Sequence, residues 1–170
     1  MPYDPRKHHR RSIRLKDYDY TQAGAYFVTI CTHRRECVLG DVAAGAMVLS
    51  QMGRIVRACW GEIPDHFAHV ELDASVVMPD HIHGIIVIVE GTACRALNRA
   101  LNRAPTTESF GKPVPGSLPT IIRSFKSAAT RLINQHRGTP GARVWQRNYY
   151  EHLIRNERAL ARIRRYITAA

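Results

Sequence analysis

Acidic side chains are in short supply in this 170-residue sequence: 14 Asp+Glu stand against 25 Lys+Arg, a formal charge of +11. That imbalance predicts a polyanionic partner, nucleic acid before an acidic membrane surface. Cysteine is sparse and unpatterned. Cys31, Cys37, Cys59 and Cys94 form no C-x-x-C pair and no zinc-ribbon spacing, and Cys31 and Cys59 fall within apolar patterns, as buried reduced thiols do. No apolar run approaches the eighteen or so residues of a membrane span. The opening "MPYDPRKHHRRSIRLK" is basic but lacks the apolar stretch of a signal peptide. No Walker loop and no G-x-G-x-x-G is present. The expectation is a soluble, cytoplasmic protein with no membrane partner.

What is present reads as a basic N-terminal arm, residues 1–16, followed by one domain, residues 17–170. "GAYFVTICT" is aromatic and β-branched, which predicts a first strand. In "LSQMGRIVRACWGEIP" the apolar residues recur at helical spacing, with Ser50 as N-cap and Pro64 as a stop. "VELDASVVM" and "HGIIVIV" predict two strands joined at Met78-Pro79-Asp80. Residues 91–119 shift to Gly, Pro, Thr and Ser and duplicate "ALNR", which predicts a flexible loop insertion.

"TIIRSFKSAATRLINQHR" predicts the clearest helix, capped by Thr120 and ended by "GTPG". "VWQRNYYEHLIR" predicts a short strand, and "NERALARIRRYI" a final helix capped by Asn156. The order β-α-β-β-α-β plus a C-terminal helix predicts an α+β fold. Its arrangement would be ferredoxin-like (RRM-like), an antiparallel sheet with two helices on one face and the other face free.

"SVVMPDHIHGIIVIVE" poses the chemical question. Alternate residues of a strand share a face, so His81 and His83 point one way and Ile82, Gly84 and Ile86 the other. Two imidazoles on one face can converge on a divalent metal; a pair of surface or hydrogen-bonded histidines is the plainer alternative. Metal-dependent amidohydrolases use such a pair on a barrel of about 250 residues, too long for this chain. A divalent metal in a basic protein points to phosphoryl transfer. A protein nucleophile would then come from a tyrosine held against the metal, and Tyr166, at the edge of the last helix's apolar stripe, is the candidate. A tyrosine packed at the core boundary is the alternative.

"SVVMPDHIHGIIVIV", "VWQRNYYEHLIRNERALARIRRYI" and "RRSIRLKDYDYTQAGAYFVTICT" together resemble the single-tyrosine HUH transposases, specifically the REP-associated tyrosine transposase group. The resemblance covers roughly Arg10 to Ile167 apart from the loop insertion. It implies that His81 and His83 hold Mg²⁺ or Mn²⁺. It further implies that Tyr166 attacks single-stranded DNA at hairpin repeats, leaving a 5′-phosphotyrosine link and a free 3′-OH. It also implies a monomer or a homodimer, associated with the nucleoid when bound to DNA. One departure stands out: the Asn or Gln that usually completes the metal site one turn after the tyrosine is here Ala170.

Arg123, Lys126 and Arg137 on the long helix, and Arg10, Arg11, Arg14 and Lys16 in the arm, are candidates for contact with the DNA backbone. Two other readings differ in class. One is an RRM-like nucleic-acid-binding module, for which "GAYFVTI" only loosely serves as the aromatic strand. The other is a decayed relative that holds hairpin DNA without cutting it, and Ala170 favours this one.

Overall fold

The computed structural model describes residues 18–89 and 114–169. The expected contacts of Arg10, Arg11, Arg14 and Lys16, most of the loop insertion and Ala170 therefore lie outside the described residues.

The fold is mixed α/β around an antiparallel sheet. Its strands are β1 (Gly24–Cys31), β4 (Val70–Met78), β5 (His81–Ile88) and β6 (Tyr150–Ile154), in the order β4-β5-β1-β6. The helices are α1 (Gln51–Gly61), α2 (Ile63–His66), α3 (Leu118–Arg137) and α4 (Glu157–Thr168). Between β1 and α1, β2 (Gly40–Ala43) and β3 (Ala46–Leu49) pair as a separate ribbon. The ribbon turns through Ala44 and Gly45, both at positive φ (51° and 77°), the conformation of a two-residue type I′ hairpin. Ala-Gly lacks the Asn or Asp that usually marks this turn.

The alternation of β5 decides which layer goes where. Ile82, Ile86 and Ile88 enter the main core with Val56, Cys59 and Trp60 of α1 and Ile121, Ile122, Phe125, Ala129 and Ile133 of α3. Gly84 lies beneath Trp60, so close that a Cβ there would meet the indole. On the other face Ile85, Ile154 and Ile167 form a second, smaller cluster, with Phe27, Ala159, Leu160 and Ile163 packed around it. The expected free face is thus partly covered. α4 crosses it and buries its apolar stripe there.

Three boundaries differ from expectation. α3 begins at Leu118, after Ser117, with Pro119 in its first turn, where a missing N–H costs nothing. Thr120 does not cap it; its hydroxyl donates to the Val114 carbonyl at 2.7 Å. Pro64 opens the short α2 rather than stopping the chain's helical course. The last strand is confined to Tyr150–Ile154, while Val144 and Trp145 are buried in the main core and Trp145 bridges Thr32. Elsewhere the caps are as read. Ser50 Oγ accepts from the Gly53 amide at 3.1 Å, Asn156 Oδ1 accepts from Ala159 N at 2.8 Å, and Gly138 closes α3 in the left-handed region. No helix among the described residues is long and apolar enough to cross a membrane.

Candidate active site

The β4–β5 hairpin turns through Pro79 and Asp80, and the turn is tied to its neighbours on both sides. The Thr32 amide and hydroxyl donate to the Asp80 carbonyl at 2.9 and 3.0 Å, and Leu39 N donates to the Pro79 carbonyl at 2.9 Å. His81 therefore starts β5 at a fixed point, and the two-residue period carries His83 to the same face, opposite Thr29 of β1 and Val76 of β4.

The two rings meet. His81 Nε2 and His83 Nε2 are 3.0 Å apart. Each ring is held by its other nitrogen. His81 Nδ1 faces Asp80 Oδ1 at 2.6 Å, and because a carboxylate only accepts, this nitrogen carries the proton and Nε2 keeps its lone pair. His83 Nδ1 lies 2.8 Å from Thr29 Oγ1, a hydroxyl that can donate or accept and so supports either tautomer. The other Asp80 oxygen, Oδ2, takes Arg35 Nε at 2.7 Å, and Arg35 Nη1 reaches Cys31 Sγ at 2.9 Å. Arg35 is held at φ 60°, a left-handed backbone unusual for a residue with a side chain.

Burial pushes the His83 pKa down to about 4, and repulsion from His81, were that ring protonated, acts in the same direction. At neutral pH this imidazole is uncharged and free to ligate. Phe27 stacks on His83, with ring centroids 5.3 Å apart.

The tyrosine arrives from the far end of the chain. Residues of α4 follow one another at about 100°, so Ile163 and Ile167 turn to the sheet while Tyr166 sits on one edge and Arg164 on the other. The Arg164 guanidinium grips Asp73 of β4 through Nε and Nη2, at 2.9 and 2.6 Å to Oδ2. Asp73 stands at the register shift between Leu72 and Ser75, where the bulge turns its carboxylate toward the helix. So held, α4 brings Tyr166 Oη to 3.3 Å from His83 Nε2, with the tyrosine ring 55% exposed.

His81, His83 and Tyr166 are thus brought together, whereas the candidate cations on α3 are not. Arg123 and Arg137 are exposed, but α3 packs on the opposite face of the sheet. Lys126, grouped with them from sequence, is turned inward. Its Nζ donates to the Gln146 and Asn148 carbonyls at 2.8 and 3.1 Å, and burial lowers its pKa to about 8. Glu151 pairs with Val28, which sets it on the face away from the imidazoles.

Sequence reading passed over Thr29, Asp80 and Arg35, because a turn aspartate and a strand threonine have sufficient local reasons to be there. It also passed over the exposed Arg158, Arg162 and Arg165 of α4. There a signal existed: four arginines within "RALARIRR" and Arg155 just before them, overlooked because the apolar stripe was sought first.

An uncharacterized protein of Haemophilus influenzae is 40% identical over 165 residues, 97% of this chain and 89% of that protein. A second protein of that organism, provisionally named a REP-associated tyrosine transposase, is 28% identical over 149 residues, 88% of this chain and 70% of its own length. The chain is a relative of the REP-associated tyrosine transposases. The structure of one such transposase bound to a REP hairpin superimposes with a TM-score of 0.56. At 20% identity, across 92% of this chain and 70% of that one, the likeness to this transposase is one of fold. No protein-family model matches the chain.

Proposed function

We propose that this chain is a metal-dependent, single-stranded DNA transposase or nickase, with Tyr166 as nucleophile and His81 and His83 as metal ligands. The observation that carries the reading is the meeting of three side chains, two on β5 and one on α4, at 3.0 and 3.3 Å. Kinship with the REP-associated transposases and the hairpin held by the structural neighbour support hairpin DNA as the partner.

The histidine pair fits a hard divalent ion. The two imidazole Nε2 atoms converge at 3.0 Å, so His81 and His83 would hold one ion between them. Mg²⁺ or Mn²⁺ held there supplies charge neutralisation at the scissile phosphate. Among the described residues no third His, Cys, Asp or Glu joins the pair. Water and phosphate oxygens would complete the shell, as is common for Mg²⁺.

Asp80 and Thr29 then have defined tasks. Asp80 keeps the His81 lone pair at Nε2, and Thr29 accepts from His83 Nδ1 when that ring presents its own Nε2 lone pair. Supports of this kind fix the ring tautomers of ligating histidines. The Tyr166 phenol oxygen forms a bond to phosphorus as the P–O3′ bond breaks, and the phenol's proton ends on the departing 3′ oxygen. One phosphodiester is exchanged for another, so rejoining needs no external energy source.

The test is a hairpin-bearing oligonucleotide incubated with protein and Mn²⁺, then resolved on a denaturing protein gel. A covalent adduct formed by wild type and absent from Tyr166→Phe is the expected result; cleavage persisting in Tyr166→Phe assigns the nucleophile elsewhere. Ala170 favours a second reading, a relative that holds hairpins without cutting them. That reading holds if the hairpin is bound and no adduct forms with either ion.

A further inference from the structure

The assembled site leaves one part of the sheet open. Among the described residues β6 is an edge strand, paired on one side only, with β1. It runs antiparallel to β1, so Ile154 lies at the far end beside Ala25, and Tyr150 lies at the site end beside Thr29, the partner of His83. At that far end Ile154 is buried in the small apolar cluster to which α4 contributes Ile167. At the site end Tyr150 is 56% exposed, as much as the nucleophile candidate itself. Tyr150 and Tyr166 thus set two half-exposed rings on the same face of the sheet. The one packed side of Tyr150 meets Phe27, with centroids 6.4 Å apart, and Phe27 meets Tyr166 at 6.3 Å. Phe27 therefore spaces the two tyrosines across a shallow floor.

The wall of that floor is α4. Arg164 and Tyr166 lie on opposite edges of the helix; Arg164 is spent on Asp73 over β4, so the Tyr166 edge looks toward β6. Arg162 stands one turn before Tyr166 on that edge, with Arg158 one turn earlier. Both are exposed, and neither forms an ion pair among the described residues. The floor thus offers a solvent-facing aromatic ring, a row of guanidinium groups along one side, and a phenol between them. Single-stranded nucleic acid is bound by this combination, with rings stacking bases and cations tracking phosphates.

We propose that the furrow between α4 and the uncovered end of β6 is a track for single-stranded DNA, in which Tyr150 stacks a base beside the attacked phosphate and Arg162, followed by Arg158, holds the backbone. The proposal rests on the DNA-processing reading above but does not require that the strand be cut. Charge alone would give only diffuse attraction; the ring at the end of the row gives the strand a register.

The test is the anisotropy of a fluorescent short oligothymidylate, titrated with protein in EDTA across a series of salt concentrations. Tyr150→Ala is expected to bind roughly 5- to 160-fold more weakly, the range of one base–aromatic stack, and Tyr150→Phe within about twofold of wild type. Arg162→Ala is expected to lower the slope of log affinity against log salt by about 0.7, the value for one single-strand phosphate contact. Arg54→Ala, on α1 beyond the other face of the sheet, removes the same charge and should leave the slope unchanged. Wild-type affinity in Tyr150→Ala, or equal slopes for Arg162→Ala and Arg54→Ala, overturns the proposal. Because no cleavage occurs in EDTA, failure here leaves the covalent-adduct result standing, and absence of the adduct leaves this one standing.

Discussion

Replacing Gly84 with alanine tests the layer beneath the histidine pair. A Cβ built at Gly84 lies 2.2 Å from Trp60 Cζ2 and 2.9 Å from both Cε2 and Cη2. Carbon atoms settle at about 3.5–4.0 Å, so the strand or the indole must retreat by roughly 1.3 Å. The indole has little room to do so. Trp60 is 3% exposed and stands edge-on against Phe125 at 5.3 Å, and Phe125 in turn packs on Trp145 at 5.8 Å. Overpacking of this kind costs about 1–3 kcal/mol, and for a domain of this size each kcal/mol shifts Tm by about 2–4 °C. The expected fall is about 2–12 °C, read by thermal melting alongside urea denaturation. The same change made in a Trp60→Phe background should cost less, because the smaller ring withdraws the offending atoms; the cycle should return a coupling of about 1 kcal/mol or more. A Gly84→Ala variant within about 0.5 kcal/mol of wild type, the range of an unremarkable surface change, refutes the reasoning. So does an equal cost in both backgrounds.

Two further outcomes follow from the electrostatics. His83 is expected to remain neutral far below the ordinary histidine range, with its imidazole resonance shifting only near pH 4. Between about 6.5 and 4 the unfolded chain binds the proton that the folded one refuses, so stability rises with pH across that window and is lost as pH falls through it; a transition near 6.5 in the metal-free protein contradicts the buried geometry. Hydrogen bonds from Arg164 hold the Asp73 carboxyl below its usual range, so the clamp contributes above the unfolded value and lets go as pH drops through the lower folded one. Asp73→Asn should speed amide exchange in α4 while leaving the exchange of α3 and the global melt almost unmoved, because the pair is solvent-exposed. Equal protection of α4 in both proteins counts against the clamp.

The parts of the molecule that repeat with a short period were legible from residues alone. The alternation of "HIHGIIVI" separated the imidazoles from Ile82, Gly84 and Ile86, and the stripes of α1 and α3 named their buried sides. The site's assembly was not legible in the same way. Periodicity says which side of α4 is apolar but not which surface receives it, and the contact of Tyr166 with His83 joins residues 83 positions apart. The stripe offered Tyr166 only as a candidate, and the resemblance to the transposases implied its meeting with the histidines. Lys126 failed for a different reason: a long aliphatic stem lets a lysine on the border of a helix stripe bend its ammonium to a neighbouring loop, and one-dimensional spacing is blind to that choice. Asp80 serves a turn and a ring at once, and only the first service leaves a mark in the sequence.

The Tyr166 phenol rides on the lesser of two apolar clusters, three buried isoleucines against the broad core on the other side. Warming should therefore peel the last helix from the sheet before the remaining layers loosen, since fewer buried side chains resist its departure. Heat would then part Tyr166 from His83 at a temperature where the scaffold is still intact, and cooling would restore the contact without any need to refold.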